Sequence, residues 1–368
     1  MDRIRLDRFS FNRTAVHITA LLLAATVAPT ALAQFKKQPP RPLPPKKAAA
    51  AAPVEAPFKV TEPKPPVTTN SVNLSQPEPL NRAGTRYTVV GQLNGTVTFS
   101  ASDVELVVPR GAFVRQVAVT GAVSRIKLSG PGTIGQLSIQ AGELTDATFE
   151  DVSVISDPAL CQPAATGYNP YPNECFGIFL RKVRRVAIRN VTVASLVYAI
   201  WSDGGSEDIL VENSRFHSTL GAQATLRLHD VTRLIVRGNR LENGAPSGDS
   251  FRHNFRIHGR SRDVFAANNL FVNSGVMIGE GGGGEEIVQR FWFMNNRMHQ
   301  VADSLFQMGT AGVTEATISD NQAFSRIAWH RSNGFYTPAN PPASWTIRRN
   351  TVSEYSPAPA NAEPDKKK

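Results

Sequence analysis

Two tripeptides carry the densest chemistry in this sequence, Arg227-Leu228-His229 and Arg256-Ile257-His258. Each sets a guanidinium two residues before an imidazole, a spacing that sends both side chains to one face of a β-strand. Arginine grips a carboxylate through two parallel N–H bonds and neutralises it. Imidazole titrates near neutrality and can take or return a proton. Trp201 offers a flat apolar face to a sugar ring, and Asp203 could orient or tune a histidine; Arg181 and Glu280 add charge nearby. The set suits an acidic, uronate-containing polysaccharide. Cleavage by β-elimination needs cations to quench the carboxylate, a base for the neighbouring proton and an acid for the leaving oxygen. Epimerisation shares the first step. The expected catalytic residues are His229, His258, Arg227, Arg256 and Asp203, with Trp201, Arg181 and Glu280 as substrate contacts, in a polysaccharide lyase or uronate epimerase. The alternative is a non-catalytic glycan-binding or structural envelope protein, because outward strand positions have to be polar in any case.

An eight-residue pattern positions these residues. It is apolar at positions 1, 3 and 8 and polar at 5 and 6. Copies start at Ala147, Val186, Ile209, Leu234, Val264, Phe291, Ala316 and Trp345, spaced 39, 23, 25, 30, 27, 25 and 29 residues apart. Positions 1 and 3 alternate as a strand does. Positions 5 and 6 carry Asn, Asp or Gly, which tolerate a left-handed corner. Asn239, Asn269, Asn296, Asn321 and Asn350 share position 6 in five successive copies, so stacked amides can bond along a ladder. Short strands at this period, with no helical stripe, mean a β-solenoid. Phe149, Ile188, Val211, Val236, Phe293, Ile318 and Ile347 should stack inside it.

The rung pattern resembles the right-handed parallel β-helix superfamily, the pectate-lyase-like fold, over about residues 83–355. The fold class expected is all-β, with about ten rungs. A second apolar strand precedes each octad: FGIFLRK (176–182), AIWSDGG (199–205), TLRLHD (225–230), NFRIHG (254–259) and VMIGEG (276–281). Aligned, their outward residues form two columns. One is Phe179, Trp201, Arg227, Arg256, Met277; the other is Arg181, Asp203, His229, His258, Gly279. The resemblance implies a choice among lyase, hydrolase and uronate epimerase. Hydrolysis is less supported. It uses two carboxylates roughly 5–9.5 Å apart, and Asp203 and Glu280 stand three rungs, about 14 Å, apart. Asp230 would have to turn outward to join Asp203. The polygalacturonase signatures and the pectate-lyase calcium aspartates are absent, so neither a metal nor a cofactor is expected.

Composition bounds the partners. The chain has 368 residues, 40 Lys+Arg and 30 Asp+Glu. Residues 1–33 carry +2, 34–70 carry +5 and 356–368 carry +1, which leaves +2 on 71–355. A nucleic-acid-binding domain carries its positive charge on itself, so no nucleic-acid partner is expected. Residues 1–33 have a basic start, an apolar run and an Ala-Leu-Ala finish, the form of a secretory signal cleaved after Ala33. The mature protein would then be periplasmic or secreted, with no transmembrane segment. Residues 34–82 read as a Pro/Ala/Lys-rich linker, 83–355 as the solenoid and 356–368 as a loose tail. Cys161 and Cys175 bracket a Pro/Asn/Tyr-rich loop and should form a disulfide in an oxidising compartment. The run GEGGGGEE (279–286) reads as a loop interrupting the solenoid near the Arg/His patch.

Overall fold

The computed structural model describes residues 54–139, 143–157, 175–219, 224–244, 253–279, 287–300, 306–308, 312–326 and 341–358. The expected signal segment, Cys161, Glu280 and most of the glycine-rich run lie outside them. No helix among the described residues is long and apolar enough to cross a membrane.

Alternating β-branched and aromatic residues make short strands, and each strand hydrogen-bonds to its counterpart one turn on. One turn consists of Val183–Arg189, Thr192–Ser195 and Ile200–Asp203; the next consists of Ser206–Glu212, Arg215–Ser218 and Ala224–His229. These pair in order and in parallel. Twelve such first strands, from Asn70–Leu74 to Trp345–Arg348, stack into one sheet. The second and third strands of each turn form two further stacks, joined where Phe113–Val119 pairs with both Thr133–Ile134 and Leu137–Ile139. The chain is a parallel β-helix. Among the described residues twelve first strands are stacked, against about ten rungs expected, and the first of them begins at Asn70 rather than near residue 83. The early rungs lack the corner Asn, so the octad does not reveal them.

The core is the inside of the coil. Phe149, Ile188, Val211, Val236, Phe293 and Ile318 are buried there, and Ile347 packs on its end. Position 5 of the octad turns the first corner in the left-handed region: φ is 59° at Asp151, 55° at Asn190, 52° at Asn213, 65° at Gly238 and 56° at Asn268. Position 6 then closes the ladder. Asn296 Nδ2 donates to Ala266 O at 3.0 Å and to Asn321 Oδ1 at 3.1 Å. Its Oδ1 accepts from Asn269 N at 2.9 Å and Asn269 Nδ2 at 3.1 Å. The same bonds recur from Asn239 to Asn350. They satisfy backbone groups that a buried corner would otherwise strand.

A second corner column sits immediately before each octad. It reads Asp103, Arg125, Asp146, Arg185, Asp208, Arg233, Asp263, Arg290 on successive rungs, every one at φ between 53° and 60°. A left-handed arginine costs about 1–2 kcal/mol. A bidentate bond to the aspartate one rung back offsets it: Arg125 to Asp103 at 2.6 and 2.6 Å, Arg185 to Asp146 at 2.7 and 2.9 Å, and Arg290 to Asp263 at 2.6 and 2.7 Å. The guanidinium of Arg125 holds the Asp103 carboxyl below its usual range, and that of Arg185 does the same for Asp146.

The expected linker is not loose throughout. Val54, Ala56, Phe58 and Val60 lie on the outside of the first sheet, over Ala187, Leu210, Ile235, Phe265 and Ala267. The Phe58 ring stands 5.6 Å from that of Trp292. The strap then runs back toward the first rung. Lys64 N donates to Asp146 at 3.0 Å and Val67 N to Asp103 at 3.3 Å, and Thr61 bonds Asp208. Three residues of extended proline-rich chain span about 9.3 Å, and two rungs span about 9.6 Å. Every third strap N–H therefore meets every second-rung aspartate. Pro63, Pro65 and Pro66, which have no N–H, occupy positions between.

Two outcomes follow. Asn296→Ala leaves the Asn269 N–H and the Ala266 carbonyl buried without partners and should cost about 2–5 kcal/mol in urea unfolding. Phe58→Ala, at a half-buried ring, should cost about 1–2 kcal/mol, whereas Lys59→Ala beside it should leave the midpoint unchanged.

Candidate functional site

The third stack carries the Arg/His residues. Leu226 and Leu228 on one rung, and Phe255 and Ile257 on the next, point into the core and fix the strands. Arg227 and His229 must then point away from it, as must Arg256 and His258. The pairing is Phe179 to Trp201, Trp201 to Arg227, Arg227 to Arg256, and Arg256 to Met277. Arg181 lies opposite Asp203, and His229 opposite His258. The first column pairs as aligned, and in the second the pairs Arg181–Asp203 and His229–His258 are formed. Glu280 lies outside the described residues.

The imidazoles of His229 and His258 stack, with ring centroids 4.6 Å apart and planes inclined by 9°. Outward here does not mean solvated. Arg256 is 3% exposed and His258 1%. Arg227 and His229 are half-buried. Burial, followed by the charge of Arg227, pushes His229 below the ordinary histidine range. Burial drives His258 down to about 2, assisted by the positive charges of Arg256 and its neighbours. Both imidazoles thus resist protonation, His258 far more than the half-buried His229.

Trp201 does not stand alone as a platform. The Arg227 guanidinium lies over its ring, 5.0 Å from the centroid, and Phe176 and Tyr198 pack at 4.6 and 4.9 Å. Arg227 Nη1 donates to the Tyr198 hydroxyl at 3.3 Å. This aromatic cluster, with Phe179, follows directly from Cys175, which is disulfide-bonded. Its expected partner, Cys161, lies outside the described residues. Trp201 is half-buried, and its exposed area is smaller than the sequence implies.

Asp203 is exposed at its strand end and makes no hydrogen bond to either imidazole among the described residues; it acts on His229 only through its charge. The expected orienting contact is therefore absent from this conformation. Arg181 is exposed beside it. Asp230 stands at φ 51° and accepts from Arg260 N at 2.8 Å, so its carboxylate is engaged in capping a corner. Tyr198 is a site residue that the sequence reading passed over. Its only signal was a position three residues before Trp201, at the entry to the strand. No cluster of His, Cys, Asp or Glu suited to a metal ion occurs among the described residues.

No protein-family model matches the chain, and no curated protein matches it. Among solved structures it is similar to the Dettilon tailspike protein (gp208), with a TM-score of 0.43 and 11% identity over 73% of this chain and 62% of that one. It is also similar to the GH136 lacto-N-biosidase from Eubacterium ramulus, with a TM-score of 0.39 and 8% identity over 76% of this chain and 63% of that one. The chain thus spans less than two thirds of the length of each. The parallel β-helix itself is read from the strand pairing.

The histidine shifts set a pH dependence. His258 has a folded pKa below its unfolded value of about 6.5, so below pH 6.5 the unfolded chain binds a proton that the folded chain does not. Stability is full above that value and falls as the solution is acidified. Between pH 7 and pH 5 the wild type should lose about 1–2 kcal/mol in urea unfolding from this group, and His258→Asn should flatten that limb.

Proposed function

We propose that the Arg/His face binds an acidic, uronate-containing polysaccharide and abstracts the proton beside the uronate carboxylate. The observation that carries this reading is the register of two guanidiniums beside two stacked imidazoles. Arg227, half-buried and held by Tyr198 and Trp201, takes the substrate carboxylate. Its charge stabilises the electron density that the carboxylate receives as the neighbouring C–H bond breaks. His229, the more accessible imidazole of the pair, accepts that proton. A substrate carboxylate at Arg227 would cancel part of the positive field that lowers the His229 pKa and would strengthen it as a base.

In elimination, the C–H electron pair becomes the new C=C bond, and the C–O bond to the leaving sugar breaks. The His229 imidazolium passes its proton to the departing oxygen. In epimerisation a water on the opposite face instead supplies a proton to that carbon, and the His229 imidazolium returns its own proton to solvent. His258, stacked behind His229, and Arg256 beside it are positioning residues in this scheme. Asp203 and Arg181 border the face. The protein would work in an oxidising compartment, periplasmic or extracellular; the disulfide at Cys175 and the form of residues 1–33 support that placement.

Burial favours a second reading, in which the face binds the polymer without turnover. At 3% and 1% exposure, Arg256 and His258 leave a substrate little room beyond Arg227 and His229.

Proton NMR with a panel of polyuronates in deuterated water tests both readings. Proton abstraction predicts either solvent deuterium at the carbon bearing the carboxylate, for epimerisation, or new unsaturated ends, for elimination; either signal should be lost in His229→Ala with the fold intact, with a drop of about tenfold or more in kcat/KM in Arg227→Ala. Exchange or unsaturation that persists in His229→Ala would remove it as the base. Retention on a polymer with neither exchange nor unsaturated ends would establish the binding reading.

A further inference from the structure

A second, smaller core lies outside the coil beside Arg227. Cys175, Phe176, Phe179, Val197, Tyr198 and Ala224 are buried in it, and Trp201 packs against it. The inward residues of the same strands, Ile178, Ile200 and Leu226, belong to the main core instead. The outer cluster can therefore loosen without emptying the inside of the coil.

Three rings in this cluster close a triangle. Phe176 and Trp201 stand 4.6 Å apart between centroids, Tyr198 and Trp201 4.9 Å, and Phe176 and Tyr198 5.1 Å. Tyr198 meets the other two edge-on, at 74° and 75°, an arrangement that aromatic quadrupoles favour. Two of the three contacts run through Phe176. The Arg227 guanidinium rests on the other two rings, 5.0 Å from the Trp201 centroid and 5.8 Å from that of Tyr198, and Nη1 donates to the Tyr198 hydroxyl at 3.3 Å. By register Phe176 lies two rungs, about 9.6 Å, from Arg227, so it acts on the guanidinium through Tyr198 and Trp201.

Phe176 precedes the strand Ile178–Arg181 and has no place in its ladder. The main chain on either side is tied to the next rung: Val197 N donates to Cys175 O at 3.3 Å, and Gly177 N donates to Tyr198 O at 2.9 Å. Gly177 permits that approach, because a Cβ there would lie 2.4 Å from Val193 Cγ1 and 2.9 Å from the Ala199 carbonyl oxygen. The disulfide at Cys175 adds a covalent tie. In a chain with two cysteines its other half is Cys161.

We propose that Phe176, anchored by the disulfide at Cys175, is a positioning residue for Arg227. The inference rests on the proposed function, in which Arg227 takes the substrate carboxylate. A free arginine side chain surrenders rotamer freedom when it grips a carboxylate. The ring triangle has already fixed part of that freedom. Without Phe176 or the disulfide, Tyr198 and Trp201 can turn, and the cost of ordering Arg227 falls on binding. Because the disulfide forms only under oxidising conditions, the face is complete only in the oxidised protein.

Labelling the arginines of the full chain with ¹⁵N tests the positioning without any ligand. The Arg227 Nε–H signal, identified by its loss in Arg227→Lys, carries the ring current of Trp201. It should shift in Phe176→Ala and in Cys161→Ser, and less so in Phe176→Leu. Retention on a polyuronate column should weaken about tenfold in the first two variants, with the far-UV circular dichroism unchanged. Cys161→Ser removes the tie and leaves every described side chain in place, so it carries the test even where Phe176→Ala does not fold. An Arg227 signal that stays put in Cys161→Ser and Phe176→Leu would overturn the role, as would a shifted signal with undiminished retention. A wild type that no polyuronate retains would overturn the proposed function instead, and the Arg227 signal would still decide the positioning.

Discussion

Every residue of this coil has a counterpart directly above and below it, about 4.8 Å away, and the whole structure depends on those counterparts agreeing. A mismatch cannot be absorbed locally, because each strand is both template and ladder partner for its neighbours. Two chemistries satisfy the condition. Identical amides stack because each is donor and acceptor at once, as from Asn239 to Asn350. Charges can stack only if they alternate, as in the Asp/Arg column from Asp103 to Arg290. A slip of one rung would leave the amide ladder nearly indifferent but would set aspartate on aspartate and arginine on arginine. The charge column therefore specifies register, whereas the amide ladder contributes mainly stability.

The same column explains how the N-terminal strap is held. Its aspartates are saturated on one side by arginine and still have lone pairs directed outward. Lys64 and Val67 donate to two of these through their backbone N–H groups. The strap's apolar half then covers the stripe Leu210, Ile235 and Phe265, which would be an exposed apolar patch on the first sheet. A segment rich in proline and lysine is thus a structural part of the coil from residue 54 onward.

This bears on what was legible in the residues. The octad, its inward positions, the Asn ladder and the two columns around RLH and RIH follow from alternation and spacing, because period-two patterning and fixed rung length are local properties. The Asp/Arg alternation was also present, one residue before each octad at Asp146, Arg185, Asp208, Arg233, Asp263 and Arg290. It is invisible to a search for apolar positions. The strap had a signal in Val54, Ala56, Phe58 and Val60, matched by apolar residues at octad position 2, where an outward residue should be polar. Composition averaged over residues 34–82 concealed it. The burial of Arg256 and His258 had no local signal. Exposure on a solenoid face depends on which distant segments cover it, and no strand period encodes that.

Burial changes what the Arg/His face can do. On a solvated face, four such side chains would be two screened cations and two imidazoles titrating near 6.5. Here the lowered local dielectric and the adjacent guanidiniums suppress protonation of both rings. Arg227 and Arg256 stand across from each other one rung apart, whereas at Arg181 and Asp203 opposite charges face each other. Under the proposed function, a carboxylate-bearing sugar at Arg227 would meet a cation, an imidazole and an aromatic surface within one strand and its two neighbours.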